Sequence, residues 1–345
     1  MRWPAVILVA LTVAACSASG GSVSSAPPTT VEGEADRRTA LDQINDEVII
    51  PAYGVLADSA TDLVEATNML CQQPSQDSLA EARAAWGAAW LAWLRTTAHS
   101  ARVDEMRLEA SFTFAPDIEG VEALLAGTDP VSVEAIRQLG ADQRGLRAIE
   151  WLLFGPGSEA LSGRAERRCQ MAASASTVVE EAAATVLAAL DDTQSEQRSQ
   201  EELDDVVNDL IFAVQEVADR RLGIATGSTN DGIPAPGEAQ GAAGIGAREA
   251  EAVIQGVAAV YEGGGKGGLS PLVAAGFAAT DERVLTRMSD LSELLAALPA
   301  SLEKADPADL AAAEEAARAL HRTLSTEVVS VLGVTLMFGD TDGDS

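Results

Sequence analysis

The apolar residues of this chain return every three to four positions. In residues 79–98, Trp86, Trp90, Trp93 and Thr97 fall at i, i+4, i+7 and i+11, which is one face of an α-helix. A strand scatters such a set over both of its sides, because successive strand side chains alternate. Alanines between the tryptophans let a neighbouring backbone approach, so the stripe reads as core; a ligand cage is the alternative. The same period marks Leu41, Ile44 and Val48; Leu56, Leu63, Val64 and Leu70; Leu203, Val206, Val207, Leu210, Val214 and Val217; and Leu320, Leu324, Val328 and Val331. Hydrophobic residues make up 47% of the 345, yet aromatics only 4%, and alanine supplies much of the difference. That composition suits closely packed helices better than a β-sandwich. The expected fold is all-α, with two up-and-down helical bundles packed side by side.

Breakers divide the chain. Pro51 predicts a kink or break in the first long helix, and the turn at 72–78 offers Asp77 or Ser78 as the cap of the tryptophan helix. SFTFAPDIEGVEALLAG, residues 111–127, contains Pro116 and a short helical stretch ending at Gly127; a helix over 132–139 follows and stops at Gly140. GLRAIEWLLFG, residues 145–155, reads as buried helix ended by Gly155 and Pro156. Residues 164–190 are helical again, and the polar stretch 191–200 separates an N-terminal bundle, 36–190, from a C-terminal one, 201–338. The second half predicts helices at 201–225, 247–261 and 281–298, and a last one from the cap Asp306 and first-turn Pro307 to Met337. EGGGKGGLSP separates two of them, and the loop 226–246 is too long for a mere connector, which makes it a candidate functional segment.

The N-terminus speaks of location. Arg2, an apolar run at 3–11 too short to span a bilayer, and the small residues Val13, Ala14 and Ala15 form a signal segment over 1–15. Cys16 follows at once, in the arrangement of a bacterial lipobox, so Cys16 is the expected lipidation site and the membrane an expected partner. Residues 16–35, rich in Ser, Gly, Pro and Thr, read as a disordered tether. The expected location is the cell envelope, at the periplasmic face of an outer membrane where two membranes exist. In such an oxidising compartment Cys71 and Cys169 read as one disulfide, with two buried free thiols as the alternative. The formal net charge of −30 excludes nucleic acid as a partner and concentrates cations near the surface, or serves solubility alone.

Several chemistries are absent. His99 and His321 are the only histidines, so no His-Glu-x-x-His zinc site exists. GGGKGG places Gly267 where a P-loop needs Ser or Thr, and Ser158 lies in no G-x-S-x-G elbow. Residues 340–344, DTDGD, imitate the start of a calcium loop without its distal Glu, and 339–345 read as a solvated acidic tail. What remains is carboxylate. In GLRAIEWLLFG, Leu146, Ile149 and Leu153 form the apolar stripe while Arg147 and Glu150, three apart, can touch.

This region resembles the imelysin-like family, whose signature is Gly-x-His-x-x-Glu on a helix. Gly145 and Glu150 match it, and Arg147 stands at the His position. LCQQPSQDSLAEARAAWGAAWLAWLRTTA, QGVAAVYEGGGKGGLS and LGVTLMFGDTDGDS are similar to further family segments in the same order. The resemblance implies an all-helical envelope protein of two bundles tied to iron-regulated expression and uptake, in a family once described as metallopeptidases. It implies iron or another divalent cation as ligand, with Glu150 and residue 147 as ligating positions. Arg147 cannot ligate a cation and repels one, so the expectation is a buried or half-buried Arg147–Glu150 pair near the cleft between the bundles, with no catalytic residue assigned. A cation held by Glu150 with Asp117, Glu119 or Glu122 is the alternative. The expected function is a lipid-anchored, non-catalytic binding component of iron or other metal acquisition. A degenerate metallopeptidase using Glu150, and a scaffold binding another envelope protein through 226–246, are the rivals.

Overall fold

A computed structural model describes residues 31–99, 112, 115–163, 166–192, 200–229 and 241–337. The signal segment 1–15, Cys16, the acidic tail 339–345, residues 193–199 of the polar separator and residues 230–240 of the long loop lie outside the described residues. Among the described residues every regular element is a helix.

The first helix, α1 (Val31–Ile44), begins inside the stretch whose composition suggests a tether. It is tied down from outside: Arg37 donates through Nη2 to the carbonyl of Leu332, 3.2 Å away. No break follows it. Instead the chain widens into a π turn, Asn45–Ile49, and enters α2 (Ile50–Gln72) with Pro51 in the first turn. Pro51 has no N–H to donate, and a wider ring upstream absorbs that loss: Ile50 N–H reaches back to the Asn45 carbonyl, so the helix continues where sequence predicts a kink. The buried face of α2 carries Tyr53, Leu56, Ala60, Leu63, Thr67 and Leu70.

The tryptophan helix, α3 (Gln76–Thr96), is capped by Ser75, earlier than Asp77 or Ser78. Ser75 Oγ accepts the Ser78 N–H and Ser78 Oγ accepts the Ser75 N–H, each at 3.0 Å, so Ser78 serves as the third helical residue of a reciprocal pair and not as the cap. Trp86 and Trp93 are fully buried. Helices α4 (Ile118–Ala126) and α5 (Val133–Arg137) are capped by Asp117 and Ser132. They lead to α6 (Leu146–Phe154), which carries the Arg147–Glu150 pair. Helix α7 (Glu166–Asp192) packs on α2, and the disulfide Cys71–Cys169 joins the two with a Cα–Cα distance of 5.5 Å.

The second half consists of α8 (Gln200–Glu216) running into a π turn at Val217–Leu222, then α9 (Gly246–Glu262), α10 (Ser270–Ala297) and α11 (Pro307–Arg322). Helix α10 starts at Ser270, well before 281, because Pro271 sits in its first turn and Val273 is buried; Phe277, at φ −153° and ψ 93°, marks a kink instead of a start. The last helical residues are Val329–Leu332, and the chain leaves the helix at Gly333 rather than near Met337. Asn208 on α8 then holds the following segment, donating to the Thr335 carbonyl at 2.9 Å and accepting from the Met337 N–H at 2.8 Å. Helix α3 packs directly on α9, and the buried residues form one core from Leu41 to Val334 through both halves. The long-range closeness of α3 and α9 is what brings the candidate site together.

Candidate functional site

Helix α6 is short and turns its apolar face, Leu146, Ala148, Ile149, Leu152 and Leu153, into the core. Trp86 Nε1 donates to the Leu146 carbonyl at 2.8 Å, which fixes the first turn of α6 against α3. The spacing of Arg147 and Glu150 puts both on the side facing α9. Glu150 is 1% exposed and the Arg147 side chain 13%, with Nη1 2.7 Å from Glu150 Oε2.

The pair does not stand alone. Glu249, in the first turn of α9 and also 1% exposed, lies with Oε1 4.0 Å from Arg147 Nη1. Trp90 Nε1 donates to the same Oε1 at 2.8 Å, and its ring lies under the Arg147 guanidinium with the centroid 5.3 Å from Cζ. Arg221, carried inward by the π turn after α8, donates through Nη1 to Glu249 Oε2 at 2.5 Å and through Nε to Glu216 at 3.0 Å. The spacing of Glu216 and Arg221, five residues, is the ring size of that π turn. Finally the returning end of the long loop closes the site: Ala243 N–H donates to Glu150 Oε1 at 2.8 Å. Gly241, at φ +67°, passes so near that a Cβ there would lie 2.2 Å from Glu150 Oε1 and 2.5 Å from Arg147 Nη1. Only glycine takes both that backbone angle and that approach.

Burial pushes the Glu150 carboxyl up to about 7; the Arg147 guanidinium and the Ala243 N–H offset part of this, and the nearby Glu249 adds to it. A carboxyl poised near neutrality is the type of group that serves as a general base. Here, however, each oxygen already has a donor, and Gly241 covers the group. A divalent cation needs carboxylate oxygens at roughly 2.0–2.6 Å. The space between Glu150 and Glu249 is held by a guanidinium nitrogen, so the residues present do not fit a metal ion at this point. A water-activating centre also needs an open coordination position, which this cluster lacks.

The acidic residues of α4 have other partners. Asp117 accepts from the Gly120 N–H at 2.9 Å and from Gln143 Nε2 at 2.7 Å, and these donors hold its carboxyl below the usual range. Glu122 accepts from Trp151 Nε1 at 2.7 Å and lies 3.9 Å from Arg168, while Glu119 is exposed in the first helical turn. Trp151 is the neighbour of Glu150 and points to the other side of α6, so α4 serves that side. His99 is buried against the edge of Tyr53, and burial pushes it down to about 4. Among the described residues no group of three or more His, Cys, Asp and Glu side chains converges to hold a metal. The other end of the long loop is pinned as well: Thr226 and Ser228 each donate a hydroxyl to Glu314, both at 2.6 Å.

Sequence patterns pointed to Arg147 and Glu150 but not to Glu249, Arg221 or the polar use of Trp90. A signal for Glu249 exists, since it interrupts the buried stripe of Ala250, Val253 and Val257 with a charge. Arg221 leaves no such trace.

Comparison with known proteins agrees with this architecture. A family model described as Imelysin matches residues 49–330. No curated protein matches the chain. The fold is similar to the crystal structure of an imelysin-like protein from Psychrobacter arcticum 273-4, at TM-score 0.68 and 18% identity, over 88% of this chain and 98% of that one. It is also similar to a structure described as an iron-regulated protein A precursor from Parabacteroides distasonis ATCC 8503, at TM-score 0.71 and 15% identity, over 87% of this chain and 95% of that one. At these identities the likeness is one of fold.

Proposed function

This chain belongs to the imelysin family, and from that premise we propose that it is a non-catalytic binding component of iron or other metal acquisition in the bacterial cell envelope, held to the membrane by a lipid on Cys16. The family and the likeness to an iron-regulated protein precursor are consistent with an iron-related envelope role. The single observation that supports the non-catalytic part is the position of Arg147: a guanidinium bonded to Glu150 at 2.7 Å stands where a ligand and an open water position would be required. Binding then falls to other surfaces of the molecule, with an envelope protein of metal uptake as the partner.

The test is genetic and biochemical together. Deleting the gene is expected to lower cell-associated iron and growth in chelator-treated medium, and both return on complementation with the wild-type gene or with Glu150→Gln. Purified mature protein is expected to leave unstructured peptides intact. Unchanged iron content in the deletion strain overturns the acquisition role; peptide cleavage that disappears in Glu150→Ala overturns the absence of catalysis.

A further inference from the structure

We propose that the Arg147 guanidinium is the resident cation of this buried cluster: it is shared between the carboxylates of Glu150 and Glu249 and bars a metal ion from the place between them. Its Nη1 lies 2.7 Å from Glu150 and 4.0 Å from Glu249, so one nitrogen faces both acids. The guanidinium lies over the Trp90 ring, 5.3 Å from its centroid, and that same indole donates to Glu249, so the aromatic both supports the cation and orients the second carboxylate. Arg221 takes the remaining oxygen of Glu249, and the Ala243 N–H takes that of Glu150. Two guanidiniums thus face two buried carboxylates, with the half-exposed Glu216 at the edge. A bare pair of buried carboxylates repels and is costly to desolvate; a planar donor inside the chain meets that need without any ion from solution.

The arrangement also ties the halves together. Arg147 and Glu150 belong to α6, Trp90 to α3, Glu249 to α9 and Arg221 to the turn after α8. Removing the Arg147 side chain leaves both carboxylates around a gap lined by an indole, a site that accepts a small free guanidinium or a hard divalent cation. The inference concerns this cluster alone and does not rest on the iron role, whose test is growth and cellular iron.

Thermal unfolding of the full mature chain tests it. Arg147→Ala is expected to melt about 6 °C or more below wild type. Low-millimolar ethylguanidinium and, separately, manganese(II) are each expected to raise the melting temperature of Arg147→Ala while leaving wild type unmoved, with ethylammonium as the weaker control. The double variant Arg147→Ala/Glu249→Gln loses the manganese response. A melting temperature of Arg147→Ala that neither ion moves, or a wild type that manganese stabilises through Glu150, overturns the proposal. A second comparison holds even if Arg147→Ala fails to fold. Arg147→Lys, which keeps a cation, is expected to melt above Arg147→Met, which keeps only the volume; the reverse order shows that packing and not charge holds the site, and sinks the idea.

Discussion

The surroundings of Glu150 oppose its ionisation. Burial pushes its carboxyl from the ordinary value up to about 7, more than the Arg147 guanidinium and the Ala243 N–H bring it down. A carboxyl with a raised folded-state pKa stabilises the fold most when protonated. Its contribution is full below about pH 4.5, the unfolded value, and is lost as pH rises toward 7. Measured against Glu150→Gln, which stays neutral, wild type should therefore lose about 3 kcal/mol of relative stability across that window, read from urea unfolding at successive pH values. An opposite slope means that the Arg147 pair outweighs burial. The pair itself was legible in sequence because residues three apart on a helix meet. Its second half was not, because a contact between α6 and α9 leaves no local pattern. The π turn that contains Arg221 further shifts the residue off the face that ordinary helical counting assigns to it.

The helices show the same division between local and distant causes. The tryptophan stripe, the proline at the start of α11 and the stop at Gly127 follow from neighbours in sequence, and α3, the start of α11 and the end of α4 sit close to where those signals place them. The start of α10 and the path of the chain beyond the last helix do not. Alanines can continue a helix through residues 270–280 once Val273 and Thr280 are buried, and the last helix closes at Gly333, in the left-handed region at φ +67°, with Asn208 holding residues 335 and 337 beyond it. Helices α2 and α7 are additionally joined by Cys71–Cys169, which are 98 residues apart in sequence. A cross-link over so long a loop restricts the unfolded chain, so Cys71→Ala is expected to lower stability by about 4 kcal/mol under oxidising conditions. Under strong reductant the two proteins should converge. A difference that persists in reductant means that the sulfur at position 71 contributes by packing, not by the bond.

At the scale of the molecule, composition and spacing suggest two bundles parted by a polar stretch, and among the described residues the buried side chains of both halves join in one core. That core draws on described helices from Leu41 to Val334. The tightest point of that continuity is where α9 crosses α3: a Cβ on Gly256 would lie 2.1 Å from the carbonyl oxygen of Arg95 and 2.9 Å from its carbonyl carbon, both backbone atoms that cannot swing aside. The ion cluster around Arg147 adds a polar bond across the same junction, and Arg95 Nε donates to Gln255 at 3.0 Å beside it. Bundles coupled in this way should unfold as one unit, so calorimetry of the mature chain is expected to show a single transition whose calorimetric and van't Hoff enthalpies agree. Gly256→Ala supplies the discriminating case. If the halves share one core, forcing the helices apart destabilises the whole by about 3 kcal/mol and moves that single transition down intact. If the halves are independent units that merely touch, the substitution instead splits the trace, and two transitions in either protein would show that the junction is an interface between domains and not part of a common core.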